Sequence, residues 1–471
     1  MSKNNDDAVR DYGVEEYVPE EGRHYGFMDM MFTWIGANCQ PSSWFLGGTL
    51  AASGFAVAAG VTLLANPLTY IILALMGFMG YKVATTTMGL SRFSFGIRGT
   101  KIPTLFNTIS LIGWTAVGNY LGAISISYLL NTLFGWPCYG MDGSWWVMLL
   151  GTTINGILSA GFVFIGGSKL VKYAENIAVV AMVILSIWIT VSVLKTFPLS
   201  EIITWKPSED VRMPMGVGVD TIMVYSISWV LCIAEFTRYT KSKKAATAAP
   251  VIGATLGMYW FALVGTVAVI AAALTTGVFD PNNSDPSSVA ATLGLGVPAM
   301  LVVILSVATT NMISVYSGSL SACNLFKRQF PVKKMNIIVG VLTILVSFIP
   351  VFMGSFMDFF YSFMDLLALV FPALIAIMLV DYYLIRKRNY IFKEIGNMDG
   401  PYGYSKGFNW YGIGSWLAGV VSYIIIKNVG IISNTVGAAI PAFIVAGVIY
   451  YVLARAAVSK GYYRDLLKKA D

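Results

Sequence analysis

The chain has 471 residues, of which 56% are hydrophobic and only 12% are charged, and its formal net charge is +7. Soluble domains carry about 25% charged residues, because a folded surface needs polar groups to face water. The composition therefore excludes a soluble enzyme, a disordered chain and a nucleic-acid-binding protein, and it predicts an all-α polytopic membrane protein. The four cysteines form no CxxC pair, so the sequence indicates neither a metal cofactor nor a disulfide framework.

Twelve apolar runs follow one another along the chain, and each is close to the roughly 20 residues that a membrane-spanning helix needs. Several connections between them are short and leave no room for an inserted soluble domain. Numbered one to twelve, the runs cover residues 27–51, 54–80, 104–133, 145–166, 170–194, 215–236, 250–276, 296–325, 335–353, 357–385, 409–427 and 432–456.

Lysine and arginine are distributed unevenly between the two sets of connections. When the amino terminus is placed in the cytosol, all but four of the 31 basic residues fall in cytosolic segments. Cytosolic loops of membrane proteins are enriched in Lys and Arg, so we expect a cytoplasmic (inner) membrane protein with cytosolic tails at residues 1–26 and 457–471. The basic residues left outside are Lys195, Lys206, Arg212 and Lys427.

Run one is interrupted near its midpoint by the polar segment Gly36–Ser43. Pro41 has no backbone N–H and clashes with the preceding turn, so we expect carbonyls near residue 37 to lose their helical partners. In a membrane, such groups must be satisfied by protein, water or an ion, and the neighbouring Asn, Gln and Ser residues therefore indicate a cavity. A proline kink with self-satisfied hydroxyls is the alternative.

Run three carries an indole between small residues, in the segment Gly113–Asn119. The glycines beside Trp114 leave a flat surface on which a planar ligand can stack, while core packing of the indole is the alternative. Asn119 needs a hydrogen-bonding partner inside the membrane, supplied either by protein or by substrate.

Runs six and eight carry the other polar interruptions. Run six contains Asp220 and then Tyr225–Trp229, and run eight contains Ser306–Asn311 followed by Ser314. Oxygen-rich segments suit a hard monovalent cation, whereas threonines that bond the carbonyl one turn back are the alternative. Because runs one and six occupy corresponding positions in two five-run halves, the pattern predicts an inverted-repeat transporter with a midplane site.

Several motifs resemble those of the nucleobase–cation symporter family, whose members carry cytosine, purines, uracil, allantoin, hydantoins or thiamine. The most specific is RFSFGIRG at Arg92–Gly99, which is followed by Gly113-Trp114. The similarity spans roughly residues 23–390 and is strongest to the bacterial cytosine branch. Supporting matches, in the family's order, are Gly47–Leu50, Glu235–Tyr239, Thr309–Asn311 and Asp381–Tyr383.

The resemblance implies twelve transmembrane helices with a five-helix inverted-repeat (LeuT-type) core and two C-terminal helices. The first repeat is expected at residues 27–194 and the second at 215–353 together with 357–385, with residues 409–456 appended. Substrate is expected between a bundle of runs one, two, six and seven and a scaffold of runs three, four, eight and nine.

Matching residue by residue, the resemblance implies that the substrate stacks on Trp114 and contacts Gln40. Relatives place a second aromatic at about the position of Ser226, and this chain has none there. We therefore expect Tyr225 or Trp229 to supply the second ring.

The hydantoin branch has a glutamine one turn after the tryptophan, and this chain has Gly118 there, as the cytosine branch does. The run-eight asparagine of the hydantoin branch maps to Val315, so we expect Asn311 or Ser314 to serve instead. The predicted substrate-binding residues are Gln40, Trp114, Gly118, Asn119, Tyr225, Ser226, Ser228, Trp229, Asn311 and Ser314.

The family's sodium site combines carbonyls of run one with oxygens of run eight. It maps to Gly36 and Cys39, and to Ser306, Thr309 and Thr310. All the oxygens are present, so the resemblance favours sodium over proton coupling, although some relatives use protons.

The leading hypothesis is sodium-coupled uptake of a planar nucleobase-like substrate, such as cytosine or a purine, by a protein that works as a monomer without a cofactor. Proton coupling, or symport of allantoin, a hydantoin, thiamine or another organic solute on the same fold, is the alternative. The sequence shows no phosphate-binding loop, no nucleophile motif and no buried acid/base cluster, which disfavours an ATP-driven pump or a membrane enzyme.

Overall fold

The structure is a computed structural model that describes residues 17–165, 168–326 and 330–467. In these ranges every regular element is a helix, and none is a β-strand. The first 16 residues of the predicted amino-terminal tail and the last four of the carboxy-terminal tail lie outside the described residues.

The helices of the first half match runs one to five and add short helices between them. In chain order they are α1 (Phe27–Asn38), α2 (Pro41–Leu50), α3 (Phe55–Val83), α4 (Thr87–Phe95), α5 (Lys101–Phe134), α6 (Trp145–Ile165), α7 (Ser168–Thr196) and α8 (Leu199–Thr204).

The second half begins with a broken helix, as the first half does. Its helices are α9 (Met215–Ser228), α10 (Ile233–Thr237), α11 (Lys243–Ala246), α12 (Ala248–Thr276), α13 (Pro286–Thr292), α14 (Gly296–Cys323), α15 (Val332–Ser347), α16 (Ile349–Met353), α17 (Phe356–Val380), α18 (Trp410–Lys427), α19 (Gly430–Ser433), α20 (Ala439–Ser459) and α21 (Arg464–Leu467).

Ten helical segments of the described ranges are long and apolar enough to cross a membrane, and they correspond to runs two to ten and run twelve. Run one is divided into α1 and α2, each too short to span alone. Run eleven is the 18-residue helix α18, which has Trp410, Tyr411 and Lys427 at its ends. The all-α polytopic fold class is confirmed, while the count of twelve spans stays a prediction.

Run six is broken where its polar residues indicated an interruption: α9 ends at Ser228 and a 3-10 turn precedes α10. Two other runs differ from the sequence prediction. Run nine is divided at Phe348, just before Pro350. Run twelve begins at Ala439 rather than residue 432, because Gly437 has a positive φ of 78° in the preceding turn.

The helices pack as two groups that face each other. In one group α12 contacts α1, α2 and α3, and α3 also contacts α9 and α10; in the other, α5, α6, α14 and α15 contact one another. These groups contain the runs that the family resemblance assigns to the bundle and to the scaffold. The interruptions of α1/α2 and α9/α10 therefore face helices α5 and α14.

Candidate functional site

The interruption of run one is built around Gln40. Helix α1 ends at Asn38, Gln40 is extended (φ −141°, ψ 160°) and Pro41 begins α2, where a missing N–H costs no helical hydrogen bond. Nε2 of Gln40 donates to the carbonyl of Ala37 at 2.8 Å. A carbonyl that the sequence predicted to lose its helical partner is thus satisfied by this side chain.

The hydroxyl of Tyr225 joins this interruption to α9. It accepts a hydrogen bond from Nε2 of Gln40 at 3.0 Å and lies 2.6 Å from Oγ of Ser43. Oγ of Ser42 is 3.4 Å away. One tyrosine hydroxyl therefore ties the start of α2 to the end of α9.

A cavity opens beside these groups, between the two helix groups, with an empty volume of about 580 Å³ that includes its opening to solvent. None of the described residues that line it carries a charge. It is lined by Gln40, Pro41, Ser42, Leu111, Trp114, Gly118, Leu121, Tyr225, Ser228, Trp229, Cys232, Val307, Thr310, Asn311 and Ser314.

The aromatic wall of the cavity is centred on Trp114. Its ring centroid is 5.1 Å from that of Tyr225 at an interplanar angle of 87°, and 5.2 Å from that of Phe363 at 77°. Edge-to-face contacts of this kind are worth about 0.5–1.5 kcal/mol each beyond the buried area. They hold the indole in one orientation at the edge of the cavity, where it offers a stacking surface to a flat ring.

Three asparagines from three helices form a chain behind the cavity. Nδ2 of Asn311 donates to the carbonyl of Thr115 at 3.2 Å and to Oδ1 of Asn119 at 2.9 Å. Nδ2 of Asn155 donates to the same Oδ1 at 3.1 Å. Asn311 reaches the cavity, whereas Asn119 and Asn155 are fully buried.

All but two of the predicted substrate-binding residues border this cavity. The exceptions are Asn119, which lies behind Asn311, and Ser226, which is buried and whose Oγ accepts a hydrogen bond from Nδ2 of Asn66 at 3.2 Å. Ser226 faces α3 because it is one position away from Tyr225 on the helix, and adjacent positions of a helix do not share a face.

A second cavity brings together residues from both parts of the predicted sodium site. Gly36 of α1 and Thr310 of α14 line it, with Trp34, Trp229 and Phe236 among the other walls. Thr310 and Trp229 border both cavities. The two cavities are therefore neighbours that share part of their walls.

Several groups of the predicted sodium site take part in local hydrogen bonds. Oγ1 of Thr309 donates to the carbonyls of Leu305 and Ser306, both at 3.0 Å, which is the back-bonding that the sequence left open as an alternative. The backbone N–H of Cys39 donates to the carbonyl of Gly36 at 3.1 Å. A hydroxyl or carbonyl oxygen in such a bond keeps a lone pair for a cation.

Sequence reasoning missed part of the cavity wall. Leu111 and Leu121 lie at i−3 and i+7 from Trp114, so helical spacing could have identified them. Sequence reasoning also missed two residues that do not line the cavity but support its wall, Asn155 of α6 and Phe363 of α17. A polar residue in an apolar run is the only signal for Asn155. No local pattern indicates that Phe363 contacts Trp114.

Broken membrane helices face intact ones across an uncharged cavity, which is the arrangement of a secondary transporter. This chain belongs to the family of permeases for cytosine/purines, uracil, thiamine and allantoin, whose sequence pattern matches residues 17–451. The family assignment made from the motifs is thereby confirmed.

Individual relatives cover nearly the whole chain. The cytosine permease of Escherichia coli (strain K12) is 25% identical over 424 residues, which cover 86% of this chain and 89% of that protein. The allantoin permease of Bacillus subtilis (strain 168) is 22% identical over 438 residues, covering 87% and 86%.

Among solved structures, Mhp1, a nucleobase-cation-symport-1 family transporter in a closed conformation with bromovinylhydantoin bound, matches with a TM-score of 0.78. The sequence identity is 19%, and the match covers 96% of each chain. The likeness confirms the inverted-repeat (LeuT-type) fold class expected from the sequence.

Proposed function

We propose that this protein is a sodium-coupled symporter that takes up a planar nucleobase-like compound, such as cytosine or a purine, by alternating access. The observation that carries the proposal is the cavity where the indole of Trp114 meets the carboxamides of Gln40 and Asn311. An indole face stacks on a flat ring, and the carboxamides can hydrogen-bond to polar groups on the edge of a base.

Sodium coupling is supported by the position of the oxygen groups of α1 and α14. The carbonyls of Gly36 and Cys39 and the hydroxyls of Ser306, Thr309 and Thr310 are the proposed ligands of the ion, which is a co-substrate. Gly36 and Thr310 line a cavity next to the substrate cavity, so occupancy of one site is expected to change affinity at the other. Proton coupling is the alternative.

The proposed orientation places both termini in the cytosol and the chain in the cytoplasmic membrane, where it acts as a monomer in the lipid bilayer. The excess of Lys and Arg in one set of connections supports this orientation. The cavity lies inside one chain, so a single copy contains the complete proposed site.

A symporter for an amino acid or another organic acid on the same fold is the second candidate. Such a solute brings a carboxylate, and a buried carboxylate needs a paired charge or several hydrogen-bond donors. The described lining residues include no cation, which favours a neutral ring. Allantoin, hydantoins and thiamine remain alternatives within the family's substrate range.

The test is uptake into proteoliposomes containing the purified protein, with cytosine, uracil, hypoxanthine, allantoin and hydantoin as radiolabelled solutes. We expect an inward sodium gradient to drive accumulation of at least one of them, and a sodium ionophore to abolish it. If uptake follows an imposed pH gradient and does not depend on sodium, the coupling ion is the proton and not sodium. No uptake of any of the five compounds would reject the proposed substrate class.

A further inference from the structure

The carboxamide of Asn311 is fixed in one orientation by groups behind it. The carbonyl of Thr115 can only accept a hydrogen bond, so the atom 3.2 Å away from it must be the nitrogen of Asn311. The same nitrogen donates to Asn119. Both hydrogens of the amide are therefore used, and the oxygen of Asn311 is the atom left for the cavity.

The orientation of the Asn311 amide also determines the orientations of the two buried asparagines. Because Nδ2 of Asn311 donates to Asn119, the accepting atom of Asn119 must be its oxygen, and Asn155 must then donate with its nitrogen. Nδ2 of Asn119 and Oδ1 of Asn155 have no partner among the described residues. Asn119 thus acts only as an acceptor, although burying an unpaired amide N–H costs free energy.

Glycines on α5 make room for these amides. A Cβ atom at Gly118 would lie 2.3 Å from Oδ1 of Asn311, and one at Gly122 would lie 2.6 Å from the carboxamide of Asn155. The two side chains therefore lie directly against the backbone of α5, on either side of Asn119. This close approach keeps the chain of amides in place.

The carboxamide of Gln40, on the opposite side of the cavity, is also fixed with its oxygen free. Its nitrogen donates to the carbonyl of Ala37 and to the hydroxyl of Tyr225, which uses both amide hydrogens. Its Oε1 is left for the cavity that the residue lines. Both carboxamides at the site consequently present acceptors and no spare donor.

We infer that Asn119 and Asn155 are positioning residues that hold the oxygen of Asn311 toward the substrate, so that the site selects rings with two N–H donors, one for Asn311 and one for Gln40. This inference rests on the proposed function. Uracil and hydantoin each have two ring N–H groups, and cytosine has a ring N–H and an amino group. A ring without N–H donors leaves the two acceptors unpaired in the complex, which lowers affinity.

The donor requirement is tested with methylated uracils on the purified wild-type protein. We expect 1,3-dimethyluracil, which lacks both N–H groups, to bind at least tenfold more weakly than uracil. 5-Methyluracil and 6-methyluracil carry the extra bulk on carbon and keep both donors, so they control for size. Dimethyluracil binding as well as uracil would overturn the inferred selection.

The positioning role is tested by two substitutions at one residue. Asn119→Leu removes the acceptor, and we expect uracil affinity to fall about fivefold, as expected for one hydrogen bond, while the weak binding of 1,3-dimethyluracil stays unchanged. Asn119→Asp keeps an accepting oxygen for Asn311 and replaces the unpartnered NH2 group by a second oxygen, which is charged or carries an O–H. Because the acceptor is kept, we expect this variant to retain the wild-type ratio of the two affinities. Asn155→Leu should lower the ratio of uracil affinity to dimethyluracil affinity less than Asn119→Leu does, because Asn155 hydrogen-bonds to Asn119 and not to Asn311.

A purely structural role gives a different pattern. If Asn119→Leu weakens uracil and dimethyluracil by the same factor, or Asn119→Asp fails to retain their ratio, the positioning inference is wrong. Should Asn119→Leu not fold, the ratio of uracil to dimethyluracil affinity is compared between Asn119→Asp and Asn155→Leu. A ratio lowered only in Asn155→Leu supports the positioning role, and equal ratios in the two variants contradict it. If the wild type binds cytosine, hypoxanthine or hydantoin but not uracil, the same variants are measured with that compound and its N-methylated form. If the wild type binds none of these four compounds, the proposed function itself is rejected.

Discussion

At residue 118 a glycine is required by the side chain of a neighbouring helix. The atom that a Cβ would strike is Oδ1 of Asn311, at the end of a side chain. An amide can rotate away where a backbone could not, so the helices need not separate. A larger residue here should therefore disturb the site without disturbing the fold.

We expect Gly118→Ala to bind substrate up to about tenfold more weakly, because turning the Asn311 amide moves its oxygen away from the substrate and one hydrogen bond is worth about 0.5–1.5 kcal/mol. Gly161→Ala is the matched control, since a Cβ at Gly161 on α6 meets no atom within 4 Å. Substrate Kd and Tm of both purified variants are the measurements. Equal affinities of the two variants would show that Asn311 does not contact the substrate.

Substitutions at Trp114 can likewise distinguish a role in substrate binding from a role in helix packing. Stacking of a base on an aromatic ring is worth about 1–3 kcal/mol, so Trp114→Ala should weaken binding roughly 5- to 150-fold, and Trp114→Phe should keep part of the affinity. The measurement is the substrate Kd of monodisperse protein. A Kd of Trp114→Ala within about twofold of wild type would place the substrate elsewhere.

The site residues that could be predicted from the sequence are those whose side chains are unusual inside an apolar membrane helix. Trp114, Gln40 and Asn311 are polar or aromatic groups in apolar or broken segments, and they line the cavity. The direction of Ser226 could not be predicted, because it depends on the packing of α9 against α3, where Asn66 bonds it. Contacts between distant helices leave no local pattern in the chain.

At the scale of elements, the broken helix α9 is attached to the appended helix α20 by one carboxylate. Asp220 accepts from the N–H groups of Ala438 and Ala439 at 2.7 and 3.0 Å. These N–H groups belong to the start of α20, where no helical partner exists for them. Gly437 lies so close that a Cβ there would be 2.1 Å from Oδ1 of Asp220.

We expect Asp220→Ala to lower the Tm by roughly 2 °C, since losing such a cap costs about 0.5–2 kcal/mol. Asp220→Asn keeps one accepting oxygen and should lose about half as much. Asp399→Ala, at an exposed loop position, is the control. Thermal unfolding in detergent is the measurement, and a Tm for Asp220→Ala equal to that of the control would mean that the contact contributes nothing.

Much of the fold could be predicted because hydropathy alone identifies helices that lipid must surround. Runs two to five, seven, eight and ten each correspond to one long helix, with bounds shifted by a few residues, and run nine corresponds to α15 followed by the short α16. The short helices α4, α8, α11 and α13 were not predicted, because they are too short to carry a periodic signal. The break after Ser228 contains no proline, so only its polar residues indicated it.

At the scale of the whole molecule, the two cavities lie where the two helix groups meet. Trp229, which borders both cavities, packs edge-on against Trp34 of α1 with ring centroids 5.7 Å apart. Run one, helix α14 and the turn after α9, which carries Trp229, therefore contribute to both sites. A movement of one helix group against the other changes the walls of both cavities together, which is the geometry that coupled transport requires.

The last prediction concerns that coupling. Thr310→Val keeps the shape of the side chain and removes one proposed sodium ligand, so we expect the sodium concentration for half-maximal substrate binding to rise about tenfold, equivalent to about 1.4 kcal/mol. Because linked sites shift each other's affinity reciprocally, raising sodium should restore most of the substrate affinity.

The control for this prediction is Thr343→Val, which removes a buried hydroxyl on α15 that donates to the carbonyl of Gly340 at 2.7 Å. It should leave the sodium dependence unchanged. The readout is substrate Kd across a sodium titration for the wild type and both variants. A loss of affinity in Thr310→Val that no sodium concentration reverses would assign Thr310 to the substrate cavity alone, since it borders that cavity as well. A loss of substrate affinity in Thr310→Val that higher sodium reverses would instead tie this hydroxyl to the ion, because a lost ion ligand raises the sodium concentration needed for the same substrate affinity.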